Sequence, residues 1–303
     1  MQSLLAAKKR KVDISLYFML IPAIVLIIVY SYGPLGGLIV AFQRYDIAKG
    51  MLHSKWIGLD NFKYLFKYPD FNKAIWNTIY ISAMKLVAGF AAPILISILL
   101  NEISSVKFKR SIQTMIYLPY FISWVVISGI MIDILSPTDG IVNSVLKVLG
   151  FKAIYFLGTP KLFPFVMVVS DMWKNFGFGT IIYMAALTGI DPSLYEAAEI
   201  DGANRFKRIK HITLPGIVPI MVLLGTLSLG YLLSAGFEQI FNLYGPMVYS
   251  TGDILDTFTY RIGILNNQYD LATAVGMFKS AVSIILVSVS YFMAHKFADY
   301  RIF

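Results

Sequence analysis

Apolar residues recur in long runs from end to end of the chain, and short polar stretches separate the runs. A helix crossing the roughly 30 Å hydrocarbon layer needs about 20 predominantly apolar residues. Six stretches meet that length: residues 14–42, 75–100, 112–135, 162–187, 217–240 and 271–295. The pattern predicts an all-α integral membrane protein of about six spans. The first run contains Pro22, Gly33, Pro34, Gly36 and Gly37. A kink or an end is expected near Gly33–Pro34, because proline removes a helical hydrogen bond. Asp171, Lys174 and Asn175 interrupt the fourth run, so it is the weakest span by hydropathy.

Two of the polar stretches have patterns of their own. Residues 58–66 place apolar side chains at helical spacing after a glycine, which predicts a short interfacial helix with aromatic anchors. Residues 140–150 predict a second short amphipathic helix. No repeat of fixed period and no low-complexity tract is visible.

Composition agrees with the pattern. Hydrophobic residues make up 57% of the 303 and charged residues 14%, against about 25% charged in a soluble domain. The net charge of +9 fits basic loops facing anionic lipid rather than a nucleic-acid surface. Without cysteine, disulfide and thiolate chemistry are excluded. His53, His211 and His295 are scattered, which argues against a histidine metal site. Lys8, Lys9, Arg10 and Lys11 precede a long apolar run with no small-residue cleavage pattern, so the first helix reads as retained.

Basic residues near the span ends set the expected orientation. The N-terminal cluster, the group Lys107, Lys109 and Arg110, the group Arg205, Lys207, Arg208 and Lys210, and Lys296 with Arg301 fall on one side of a six-span chain. Lys55, Lys63 and Lys67 on the other side are offset by Asp46, Asp60 and Asp70. Both termini are expected in the cytoplasm: a segment 1–13, a permease-sized membrane domain 14–295, and a tail 296–303.

The segment 191–215 between the fourth and fifth runs carries the strongest local signal. Asp191 suits a helix N-cap and Pro192 the first helical position. Glu196 and Glu199 lie on that short helix, and Gly202 can take the left-handed conformation that ends it. A basic second helix follows, and Pro215 is expected to open the next span. The elbow reads Glu196-Ala197-Ala198, three residues, Gly202, nine residues, then Ile212, any residue, Leu214 and Pro215.

That pattern resembles the EAA loop of importer permeases in the ATP-binding-cassette superfamily. The resemblance implies a type I importer transmembrane domain whose elbow is the coupling helix of a separate ATPase. Residues 237–246, Gly58-Leu59-Asp60-Asn61-Phe62, Asn77-Thr78, Leu118-Pro119 and 256–261 look like carbohydrate-uptake permeases of the maltose-transporter type. Within these, the polysaccharide and oligosaccharide branch that includes the alginate importer's permeases is the nearest likeness. The resemblance implies a second homologous permease, two ATPase subunits carrying ATP and Mg, an extracytoplasmic binding protein, a carbohydrate cargo and a bacterial cytoplasmic (inner) membrane. This chain has no phosphate-binding Gly-x-x-x-x-Gly-Lys-[Ser/Thr] sequence and is expected to need no cofactor and to be no enzyme.

Charges inside spans cost about 3 kcal/mol each at the bilayer centre and should face protein or water. Lys85, Asp133, Asp171, Lys174, Glu238 and Lys279 are in this position. Asp171 and Lys174, three apart, can pair with each other; Lys85 and Lys279 can pair with Asp133 or Asp171; Glu238 can snorkel outward. Against these structural readings, Lys85, Asp171, Lys174, Asn175, Glu238 and Lys279 with the aromatic Tyr120, Trp124, Phe178 and Tyr231 are candidates for the cargo path. The lysines among them suggest an acidic oligosaccharide, such as a uronate chain. A membrane enzyme would need a constellation such as Gly-x-Ser-x-Gly or His-Glu-x-x-His, and neither occurs. An ion-coupled carrier would have no use for the EAA pattern.

Overall fold

The computed structural model describes the backbone of residues 14–298. The segment 1–13 with its basic cluster Lys8–Lys11, and residues 299–303 with Arg301, lie outside the described residues. The described chain is almost wholly helical, with one short hairpin.

Helix α1 (Ile14–Ile27) does not break at Gly33–Pro34. It passes into a π turn (Ile28–Tyr32) and then a 3-10 stretch (Gly33–Phe42). Changing the hydrogen-bond register is how a helix accommodates a proline without ending. A two-stranded ribbon follows, β1 (Gln43–Arg44) antiparallel to β2 (Lys55–Trp56), around the single turn α2 (Gly50–His53). A short helix forms where the pattern put one, α3 (Asp60–Lys67). Asn61 is buried there and donates to the carbonyls of Ala41 and Gln43, each at 2.9 Å. The Gly58–Phe62 segment thus ties the outer helix to the end of the first span.

Helix α4 (Pro69–Asn101) is a single rod of 33 residues. The third apolar run is not one straight span. It divides into α5 (Val106–Tyr117), a 3-10 turn (Leu118–Phe121) and α6 (Trp124–Ile134), and the two arms meet at 101°. Pro119 cannot continue α5, and Ser123 caps α6 by accepting from the Val126 N–H at 3.4 Å. The short helix α7 (Ile141–Val148) falls where the pattern put it. Helix α8 (Phe163–Thr188) runs unbroken through Asp171, Lys174 and Asn175.

Helices α9 (Pro192–Ile200) and α10 (Arg205–Arg208) form the elbow. Pro215 does not open a new span. A π turn (Ile209–Thr213) joins α10 to α11 (Leu214–Leu229) in one helical run of 25 residues from Arg205 to Leu229. The fifth span therefore starts earlier than expected and ends at Leu229, not at residue 240. After a loop the chain forms α12 (Phe237–Leu243), α13 (Tyr249–Gly252) and α14 (Leu255–Tyr260), then a π turn (Arg261–Leu265) and α15 (Tyr269–Ala298).

Four helical runs among the described residues are long and apolar enough to cross a membrane alone: Tyr17–Phe42, Pro69–Asn101, Arg205–Leu229 and Tyr269–Phe292. The bent α5–α6 pair makes a fifth if counted as one broken span. Helix α8 has the length but carries polar groups, and the packing explains how it is tolerated. It lies against α4 and is the most deeply enclosed helix, with Phe163, Met167, Lys174, Thr180 and Tyr183 buried. A β-carbon on Gly177 would sit 2.0 Å from the Ile116 carbonyl oxygen, so only glycine lets α5 approach so closely. Buried apolar clusters lie along the bundle: Phe71, Leu255 and Phe258 with α15; Phe163, Met167 and Ile240; and Leu100, Tyr183, Leu187 and Ile217 nearest the elbow.

Candidate functional site

The elbow is built by local rules. The Asp191 carboxylate accepts from the Ser193 N–H at 2.9 Å, and that bond holds its carboxyl below the usual range. At the other end Gly202 has φ +74°. Its N–H bonds the Glu199 carbonyl at 3.0 Å, and the Ala203 N–H bonds that of Ala198 at 2.8 Å. This is a Schellman ending, and it needs a residue that tolerates the left-handed region. Asn204 then caps α10 by accepting from the Lys207 N–H at 2.9 Å. Glu196 and Ala197 are exposed, as are Leu194, Ile200 and Phe206, the last two at 87% and 72%. Ala198, Ile212 and Leu214 are half-buried and Pro215 is exposed. The elbow thus offers apolar side chains and small residues on a folded, capped support. Such a patch suits a protein partner.

A second group of candidates converges between α4, α8 and the loop after α11. Lys85 on α4 donates to Asp171 on α8 at 3.4 Å, to the Ala235 carbonyl at 2.7 Å and to the side-chain oxygen of Gln239. Gln239, fully buried on α12, donates in turn to the Met167 carbonyl at 2.8 Å and Ser170 at 2.7 Å. Beside this network opens a pocket of about 280 Å³ lined by Lys85, Asp171, Ser228, Tyr231, Ser234 and Phe90. Asp171 pairs with Lys85, not with Lys174 on its own helix. Gln239 is not among the sequence candidates: it lies between Glu238 and Ile240 on a short helix that also carries Asn242, and no spacing singles it out.

Lys174 holds a different place. Its ammonium donates to the carbonyls of Pro119 (3.3 Å), Tyr120 (2.8 Å) and Ile122 (2.6 Å). They lie where the third run bends; the Pro119 carbonyl also accepts the Ile122 N–H at 3.2 Å. The same ammonium sits 5.6 Å from the Tyr120 ring centre and 5.7 Å from that of Trp124. Tyr120 stacks on Phe178 at 4.4 Å and 9°. Tyr120, Trp124, Lys174 and Phe178 therefore form one cluster around the bend, with Asn175 half-buried on the same helix. Its three protons are committed to backbone oxygens.

The remaining candidates stand apart. Lys279 pairs with Asp256 at 2.5 Å, not with Asp133 or Asp171, because α14 folds back against α15. Glu238 is exposed on α12, a separate short helix rather than the end of the fifth span. Asp133 lies in an outer cleft with Tyr155, Asn242 and Tyr244. No cluster of three metal-ligating side chains occurs among the described residues.

Residues 103–303 match the family model described as "Binding-protein-dependent transport system inner membrane component". The polygalacturonan/rhamnogalacturonan transport system permease protein YteP of Bacillus subtilis is 38% identical over 95% of this chain and 90% of its own. A crystal structure of a bacterial ABC transporter for import of the acidic polysaccharide alginate contains a chain that superposes with TM-score 0.87. It is 40% identical and covers 94% of this chain and 96% of that one. A second structure of a bacterial alginate ABC transporter, in complex with an alginate pentasaccharide-bound periplasmic protein, matches at TM-score 0.86 and 39% identity, covering 94% and 95%. The full-length likeness, the bent third span and the capped elbow together place this chain in the binding-protein-dependent transport family, as a multi-pass permease with the transmembrane fold of type I ATP-binding-cassette importers.

Proposed function

We propose that this permease forms, with a second homologous permease, the path for an oligosaccharide released from an acidic polysaccharide, delivered by an extracytoplasmic binding protein. Two separate ATPase subunits, which bind ATP and Mg, drive it from the α9–α10 elbow. The elbow and both termini face the cytoplasm across a bacterial inner membrane, in keeping with the basic residues on that side. The observation that carries the reading is full-length similarity, at 38–40% identity, to a permease named for polygalacturonan and rhamnogalacturonan and to a chain of an alginate importer.

The pocket beside Lys85 has chemistry that suits a sugar chain. Asp171 accepts hydroxyl hydrogens, Ser228, Ser234 and Tyr231 donate or accept, and Tyr231 and Phe90 present apolar faces. The acidic character rests on the relatives. Lys85, Lys174 and Lys279, which suggested it in the sequence, are each engaged by protein oxygens.

The test is uptake by the complete assembly in proteoliposomes, with the binding protein added outside and ATP enclosed inside. Unsaturated or saturated oligogalacturonates should enter with ATP, and neutral oligosaccharides of equal length should enter poorly. Uptake of only the neutral chains would overturn the acidic cargo, and uptake without ATP would overturn the importer. Replacing Gly202 with leucine should leave a folded permease that hydrolyses ATP without transport or loses its ATPase, because leucine at φ +74° strains the elbow. Normal transport by that variant would remove the elbow from the drive.

A further inference from the structure

The elbow is joined to the fifth span by more than the chain itself. The phenol of Tyr195, on α9, lies 3.1 Å from the hydroxyl of Thr213. Thr213 is only 1% exposed and closes the π turn Ile209–Thr213. Its hydroxyl donates to the Arg208 carbonyl at 3.5 Å. A π turn widens the helix, and the two hydroxyls sit beside that widened turn. The side chain of the same Arg208 reaches back to Glu199 on α9 at 3.2 Å. Both links between α9 and the span therefore converge on Arg208. They differ in weight: Glu199 is 75% exposed, so its ion pair is screened by water, whereas the Thr213 end of the hydroxyl pair is enclosed.

We propose that the Tyr195–Thr213 pair is the positioning strut that makes α9 and the first turns of the fifth span move as one body, so that a displacement of the elbow reaches α11. Neither residue belongs to the EAA pattern, and Tyr195 points back into the protein through its hydroxyl rather than toward a docked partner. The π turn is the element that gives the strut its purpose. Its wider register interrupts the α-helical ladder and is a natural site for bending, and a bend there would absorb the elbow's motion before it reached the membrane. The hydroxyl pair holds that turn in one geometry. The inference rests on the reading of the elbow as the ATPase contact.

The test uses the complete transporter and the absence of natural cysteine. A Ser193→Cys substitution near the start of α9 reports docking by cross-linking to a cysteine in the ATPase. In that background Tyr195→Phe, Thr213→Val and the double variant are compared for transport per ATP hydrolysed. Each single change should lower that ratio about fivefold, the weight of one lost neutral hydrogen bond, while the cross-link persists. The double variant should equal either single one, since the pair is one unit. Thr213→Ser keeps the hydroxyl and should restore the ratio, which a loss of packing alone would not predict. Wild-type ratios in both single variants with the cross-link intact, or additive losses in the double variant, would overturn the strut and leave the docking role standing. Absence of the cross-link in the parent protein would overturn both.

Discussion

The Lys174 ammonium is held by backbone carbonyls where the third apolar run bends. Its spacing from Asp171 allowed a helical ion pair, and its position in a span allowed contact with an acidic cargo. The ion pair does not form, because the competing acceptors come from a neighbouring segment and no local spacing encodes them. The bend at Leu118–Phe121 exposes backbone carbonyls inside the bundle, and the ammonium satisfies three of them. Uncompensated, such groups cost several kcal/mol in a membrane. Lys174→Met should therefore destabilise the permease by about 3 kcal/mol, the scale found when a buried charged partner is removed. The readout is an earlier thermal transition in detergent. Uptake should fall alike for acidic and neutral sugars. A folded Lys174→Met permease that loses only acidic cargo would return this residue to the path. Lys85 was readable to a point: Asp171 was among its expected partners, but Gln239 was not.

At the scale of elements, the sequence was most informative where caps and turns are local. Asp191, Pro192 and Gly202 announce the elbow because each satisfies a geometric need within a few residues of itself. The titration of Asp191 gives a clear sign. A carboxylate held below its unfolded value by the helix N–H supports the folded form above about pH 4, the unfolded value, and loses that support as the pH falls through its folded value. Protection from amide exchange over 192–200, taken relative to the intrinsic rate at each pH, should therefore fall in acid for the wild type. Asp191→Asn, a cap that does not titrate, should remove that dependence, and Asp191→Ala should quicken exchange at all pH values. An Asp191→Asn protein with the wild-type acid response would place the titrating group elsewhere. The helix changes were less legible. Pro34, Pro119 and Pro215 look alike in sequence, yet the first lies in a 3-10 stretch, the second marks a sharp bend and the third follows a π turn within a continuous helix. What distinguishes them is which neighbour can satisfy the freed carbonyls, and that is tertiary information. The β1–β2 ribbon likewise has no alternation to reveal it at two residues per strand.

Across the whole molecule, segments far apart in the chain form a cap over the end opposite the elbow. Asn77 on α4 donates to the Asp253 carbonyl at 3.0 Å, and Thr78 accepts the Leu255 N–H at 2.8 Å. Asp253 is 3% exposed; burial pushes its carboxyl up, while Thr257 and the Arg261 guanidinium pull it down. Arg261 pairs with it and lies over the Tyr249 ring at 5.0 Å. Asp253→Ala leaves that guanidinium without its counter-charge and should cost about 3–5 kcal/mol, seen as a lower melting temperature in detergent. Replacing both residues with leucine should cost less than Asp253→Ala alone. A single variant as stable as the wild type would mean that the pair does not hold the cap. Asn77-Thr78 and 256–261 stood out in the sequence only as family-like strings; Asn77 bonds the backbone of Asp253, and Arg261 pairs with the side chain of the same residue, which links the two.

The placement of charges on α8 also bears on how the chain is made. Insertion proceeds from the N-terminus, and α8 carries Asp171 and Lys174, each costing about 3 kcal/mol in lipid if alone. Every direct partner the structure gives them, Lys85 for one and the carbonyls of Pro119, Tyr120 and Ile122 for the other, belongs to a segment synthesised earlier. When α8 emerges from the ribosome, its counter-charge and its acceptors are already in the bilayer. A helix too polar to leave the insertion channel unaided can then do so against waiting neighbours, so the order of synthesis and the order of pairing are the same.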